Sequence, residues 1–157
     1  MQGRVVRSLL CQVAGDEYAI DLTSINAVVA FLQIVPMRDA PVGVLGVVTL
    51  RSGTVPVRDM RGPLGLPPGD AHATIAWHLH QYVVVISRPD RQPVALRVDR
   101  VIELASVVVD EASGSSDYPR DSSLRRGRAT WRGRSCILLD GEAVASAVPG
   151  VGRCARA

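Results

Sequence analysis

A strand-turn-strand rhythm constrains this chain more than any other feature of its sequence. Between Ser8 and Asp21 an apolar run from Leu9 to Ala14 meets the turn residues Gly15 and Asp16, after which Tyr18, Ile20 and Leu22 alternate with Glu17, Ala19 and Asp21. Leu45 to Arg51 and Thr54 to Arg61 flank Ser52 and Gly53 in the same way. The apolar run Tyr82 to Ile86 stops at Pro89 and Asp90, and Val94, Leu96 and Val98 then alternate with Ala95, Arg97 and Asp99. Ala129 to Asp140 folds back around Arg132, Gly133 and Arg134. Alternation with a period of two buries one face of a strand, so these segments predict a mostly β protein assembled from hairpins.

Two segments depart from the rhythm. Leu22, Ile25 and Val29 recur at helical spacing behind a capping residue, Asp21, which predicts at most two helical turns before Pro36. Asp140 to Ala147 predicts a second short helix. Pro56 cannot donate to a ladder, so its strand is expected at a sheet edge or at a bulge. Gly62 to Thr74 and Ala112 to Ser123, rich in Pro, Gly, Ser and Asp, read as surface connections.

The halves of the chain echo each other. Thr49, Arg51 and Asp59 stand at the same offsets as Thr130, Arg132 and Asp140, and Tyr18-Ala19-Ile20 echoes Val94-Ala95-Leu96. Leu22 and Ile25 likewise echo Val98 and Val101. Duplication of a small β unit accounts for this pattern. Units of about 70 residues bury too little surface to stand alone, so they should pack together and leave a groove bordered by strand edges, where another chain can be captured.

Composition narrows the functional classes. With 157 residues, 47% hydrophobic and 4% aromatic, the chain can form one globular domain with a core of short aliphatics. The longest apolar stretch, Ala40 to Leu50, is broken by Pro41, Gly43 and Gly46 and reads as buried strand, and no run approaches the ~20 residues of a membrane-spanning helix. The first residues lack the features of a secretion signal, so a soluble, cytoplasmic protein without membrane insertion is expected. Cys11, Cys136 and Cys154 are odd in number and far apart, which suits a reducing compartment, and Cys11 and Cys136 lie in apolar runs as small core residues do. All basic residues are Arg, and the net charge is +3. Arg120, Arg125, Arg126, Arg128, Arg132 and Arg134 crowd together with only Asp117 and Asp121 close in sequence, which makes Arg125, Arg126 and Arg128 a candidate patch for an acidic partner.

Catalytic chemistry finds little to build on. His78 and His80 share a face of an extended segment, but only His72 and Asp70 are near, and no Cys or Glu completes a metal site. There is no nucleophile elbow and no phosphate-cradling glycine loop ending in Lys-Ser/Thr. Asp59, Asp99 and Asp140 each follow a strand, where Asp ends a ladder or caps a turn. No catalytic residue, metal or cofactor is therefore expected. Nucleic acid is not an expected partner either, because only Tyr118 and Trp131 interleave with the arginines as stacking platforms.

These motifs, taken in order, resemble the CheW-like domain family. Gly15-Asp16-Glu17-Tyr18-Ala19-Ile20-Asp21 is similar to the family's opening hairpin. Gly46-Val47-Val48-Thr49-Leu50-Arg51 followed by Val55-Pro56-Val57-Arg58-Asp59-Met60-Arg61 resembles its most specific stretch, and Leu64-Gly65-Leu66-Pro67 its continuation. Leu96-Arg97-Val98-Asp99-Arg100-Val101 and Cys136-Ile137-Leu138-Leu139-Asp140 resemble its later elements. The likeness runs from Ser8 to Ala147; Ser52, Ala95 and Ala27 depart from it, standing where Gly, Gly and Glu are frequent.

The resemblance implies two intertwined five-stranded SH3-like barrels with one or two short helices, forming a single domain over residues 1–147 and leaving 148–157 as a flexible tail. It implies a non-enzymatic adaptor that couples the cytoplasmic tip of methyl-accepting chemoreceptors to the regulatory domain of a CheA-type histidine kinase at membrane-associated arrays, with other CheW-like domains as further partners. By position, the receptor groove would involve Ile25, Val28, Leu50, Arg51, Leu96 and Val98, and the kinase-facing surface Val42, Leu45 and Gly46. The Arg-rich end leaves an alternative open, a diverged binding module that serves a pilus, developmental or array-organising system.

Overall fold

A computed structural model describes residues 3–30, 34–41, 43–66, 82–89, 91–110 and 124–147. Ten strands lie among these residues: β1 (Arg4–Val13), β2 (Asp16–Asp21), β3 (Ile25–Ala30), β4 (Val44–Leu50), β5 (Gly53–Asp59), β6 (Tyr82–Arg88), β7 (Arg91–Val98), β8 (Arg100–Asp110), β9 (Arg125–Trp131) and β10 (Arg134–Leu139). One helix, α1 (Gly141–Ser146), follows them. The four predicted hairpins are present as the antiparallel pairs β1–β2, β4–β5, β6–β7 and β9–β10. Asp140 caps α1, its carboxylate accepting from the Ala143 N–H at 3.2 Å.

The helix predicted after Asp21 is a correction. Asp21 does cap, accepting from the Thr23 N–H at 2.9 Å, but the turn it starts is a 3₁₀ turn of three residues, Leu22–Ser24. Ile25 then becomes extended, and β3 pairs antiparallel with β6 through Val28↔Val84 and Val29↔Val83. Ile25, Val28 and Val29 are β-branched, and the edge offered by β6 outweighs their helical spacing. Of the two settings expected for Pro56, the sheet edge is not found, because β5 is an interior strand between β7 and β4, but the β4–β5 ladder does shift register between Val44 and Gly46, beside Pro56. The parallel pairing of β5 with β7 begins at Val57, so the missing N–H falls at the end of that ladder.

Strand order makes the two units inseparable. β1-β2-β10-β9-β8 close into a barrel, while the second sheet runs β3-β6-β7-β5-β4. Each half of the chain therefore gives its first two strands to one unit and its last three to the other. The duplication extends to register: Thr49↔Thr54, Val48↔Val55 and Gly46↔Val57 answer to Thr130↔Ser135, Ala129↔Cys136 and Gly127↔Leu138. The parallel pairs Val57↔Ala95 and Leu138↔Ala19 are matched in the same way. Where β8 and β9 close the barrel, the second sheet has a single bridge, Val35↔Val47, with both hydrogen bonds at 2.9 Å.

Three apolar clusters follow from the alternation. Val6, Leu10, Ala19, Val107, Trp131 and Leu138 are among the residues filling the barrel, and Val48, Val55, Val57, Val83, Val85 and Ala95 among those lining the inner face of the second sheet. The largest cluster lies between the units, where Leu9, Cys11, Val13, Tyr18 and Ile20 meet Val84, Ile86, Val94, Leu96 and Val98. β1 thus buries both its faces, which explains its long apolar run. Polar latches reinforce the seam. Asp99 accepts from the Ala14 N–H and from Arg61 Nη2, both at 2.8 Å, and Arg58 Nη1 donates to the Ala147 carbonyl at the end of α1 at 2.7 Å.

Candidate docking surface

Cross-strand rows carry the interior of the molecule out to its surface. Val28 on β3 lies opposite Val84 on β6, and Val84 lies opposite Leu96 on β7. Val84 and Leu96 are fully buried between the units, whereas Val28 at the end of the row is 41% exposed. Ile25, half-buried, packs against the same inter-unit core, and Val98 is sealed within it. The structure thus separates the residues expected in a receptor groove into two kinds. Ile25 and Val28 reach a surface, while Leu96 and Val98 form the floor beneath and are closed to a partner in this conformation.

Leu50 and Arg51 sit where β4 turns into β5. Leu50 packs on the inner cluster of the second sheet, and Arg51 projects from the turn, exposed, with no hydrogen bond or ion pair among the described residues. Of the residues expected to face a kinase, Leu45 is half-buried on the second sheet and Val42 lies outside the described residues. Gly46 is buried, and a Cβ there would run into the carbonyl of Val35. Only glycine lets the segment after β3 come close enough to β4 for the Val35↔Val47 bridge. That close approach leaves Val35 52% and Met37 43% exposed beside β4, an apolar pair that reading the sequence missed. Its only signal was the apolar Ile34-Val35-Pro36-Met37 run. On the other unit Val5, Leu104 and Val108 are exposed as well, and Leu104 ends a row through Leu9 and Ile20 just as Val28 ends its own.

The arginine group is less unbalanced in space than in sequence. Arg126 pairs with Asp140 at 3.1 Å, Arg132 with Glu103 at 3.4 Å, and Arg134 with Glu17. These acids come from β2, β8 and the cap of α1, which strand pairing brings beside the β9–β10 hairpin. Arg125 is half-buried and donates to the Leu64 carbonyl at 3.2 Å, and Arg128 is exposed on β9.

Burial governs the two described cysteines. Burial pushes the Cys11 thiol up to about 12 and that of Cys136 up to about 11, so neither is a nucleophile at neutral pH. No described group of three His, Cys, Asp or Glu residues is placed to hold a metal ion, and the pair His78 and His80 lies outside the described residues together with Asp70 and His72. No described helix is long and apolar enough to cross a membrane.

Comparison with known proteins places the chain in a family and its fold beside a solved structure. The CheW-like domain family matches residues 7–148. A chemotaxis protein CheW of Rhizobium meliloti (strain 1021) is 26% identical over 141 residues, covering 88% of this chain and 86% of the relative. The crystal structure of the scaffolding protein TtCheW from Thermoanaerobacter tengcongensis superposes with a TM-score of 0.69 at 18% identity, covering 94% of each chain, and shares the fold. By its sequence over nearly its whole length, this protein belongs to the CheW-like domain family, the non-enzymatic scaffolds of chemotaxis.

Proposed function

We propose that the protein couples chemoreceptors to a CheA-type histidine kinase, holding the receptor tip and the kinase regulatory domain in fixed geometry at a membrane-associated array. The observation that carries this reading is the family match over residues 7–148 together with an exposed aliphatic edge on β3, the strand where the receptor groove was expected. In this reading the receptor tip rests on Ile25, Val28, Leu50 and Arg51, with Leu96 and Val98 holding the floor. The kinase regulatory domain meets the second sheet near Val42, Leu45 and Gly46. Arg125, Arg126 and Arg128 offer charge to an acidic surface of either partner or of another CheW-like domain.

The scaffold changes kinase output through differential contacts with the receptor's signalling states and not through chemistry of its own. Co-purification from the native cell tests this. Wild-type protein should bring down a receptor and a histidine kinase, and Val28→Glu should lose the receptor while keeping the kinase. Recovery of neither partner with the wild type would end the reading. Replacing Arg125, Arg126 and Arg128 by Ser tests the patch separately, since unchanged capture of every partner would remove it from the interface.

A further inference from the structure

The two units repeat each other closely enough that a side chain present in one and missing from the other is informative. β8 pairs with β1 as β3 pairs with β6: Val101↔Cys11 and Glu103↔Leu10 answer to Ile25↔Ile86 and Ala27↔Val85, with a bulge at the same place in each. The β9–β10 hairpin answers to β4–β5, so Arg132 corresponds to Arg51 and Trp131 to Leu50. In the barrel, Glu103 meets Arg132 at 3.4 Å, and the Arg132 guanidinium lies 5.3 Å from the centre of the Trp131 ring. Arg132 thus has an acid at ion-pair distance within the chain, without a hydrogen bond. In the second unit Ala27 holds the glutamate's place, and Arg51 is left exposed without a hydrogen bond or ion pair among the described residues.

We infer that Arg51 is the receiving site for a carboxylate carried by the docked partner, which supplies in trans the charge that Glu103 supplies within the chain to Arg132. This rests on the proposed coupling role and names the chemistry of the segment that enters the groove: an Asp or Glu opposite Arg51, next to an aliphatic side chain opposite Val28. β3 reads Ile25-Asn26-Ala27-Val28-Val29-Ala30, so no acid on that strand competes for the guanidinium. The barrel, in contrast, has Glu103 on β8 paired with Arg132 of the β9–β10 turn, and the partner's charge is thereby directed to one unit of the pseudo-symmetric pair. A charge contact at an exposed rim contributes modest affinity but strong salt dependence and partner choice.

The test measures binding of the full chain to a soluble receptor-tip fragment from the same cell, at low and at high salt. Ala27→Glu places in the second unit the acid that the barrel already has, so it should occupy Arg51 internally. Binding should then weaken about three- to tenfold and lose most of its salt dependence. Ala27→Gln, of equal size but uncharged, should keep most of the wild-type affinity. Arg51→Gln should weaken binding as Ala27→Glu does. If Ala27→Glu and Arg51→Gln bind as the wild type does, or if Ala27→Gln is as weak as Ala27→Glu, the inference is overturned while the coupling role stands. If the wild type does not bind the fragment at all, the coupling role falls and this inference falls with it.

Discussion

Cys11 shows how far burial sets the properties of single residues here. It is fully buried between the units, and desolvation, with a smaller contribution from Asp99, raises its thiol to about 12 from an ordinary 9.0. Cys136 is raised to about 11, chiefly by burial, and Tyr18 is raised above 10.0 by burial and then by Asp16. Folded-state values above the unfolded ones mean that the folded protein holds these protons more tightly. Their stabilisation is complete below about pH 9 and is lost as pH rises toward 11 and 12, at up to about 1.4 kcal/mol per pH unit for each thiol. Urea midpoints should therefore be level from pH 7 to 8.5 and fall above pH 9, and a thiol reagent should reach Cys11 and Cys136 only after unfolding. Gly46 makes a second residue-level case. Because a Cβ would meet the Val35 carbonyl, Gly46→Ala should cost about 2 kcal/mol or more in denaturant unfolding. The same substitution at Gly53, where nothing lies within 4 Å, meets only the backbone cost of its φ of +128°.

Elements were legible where turn chemistry and alternation coincided. The hairpin around Ser52 and Gly53, the alternation of Val94, Leu96 and Val98, and the Asp140 cap all stand where the residues place them. β3 was misread because a short apolar run fits either period, and only the partner strand β6 decides between them. β8, the longest strand, had no turn before it and alternates clearly only near its end, where Val107 and Val109 are buried and Val108 is not. Motif position led to the proposal of Ile25, Val28, Leu50 and Arg51, whereas the burial of Leu96 and Val98 and the acids facing Arg126, Arg132 and Arg134 depend on strands distant in sequence. The latch at Asp99 belongs to this scale because it joins the β1–β2 turn to the end of β7 and to Arg61 beyond β5. Asp99→Ala removes the acceptor of the Ala14 N–H and the Arg61 ion pair across the seam, and should lower stability by about 2 kcal/mol, read from the urea midpoint with an unchanged slope. Asp140→Ala should cost about 1 kcal/mol through its lost cap.

For the whole molecule, the exchange of strands between halves is the decisive property. β1 and β2 cannot close a barrel without β8, β9 and β10, and β6 and β7 need β3, β4 and β5. A fragment ending at Leu66 should therefore be unstructured by circular dichroism, and mixing it with the remainder of the chain should restore the β signal. Unfolding of the intact chain should be a single cooperative transition, because the largest apolar cluster lies between the units. Interlocking of this kind suits a scaffold, since it holds in one shape the second sheet, whose β3 and β4 edges carry the proposed receptor and kinase surfaces. Sedimentation of the purified chain with a receptor-tip fragment and a kinase regulatory domain tests that claim most directly. One species containing all three chains is expected, and contradiction would come from either partner displacing the other, or from neither sedimenting with the protein.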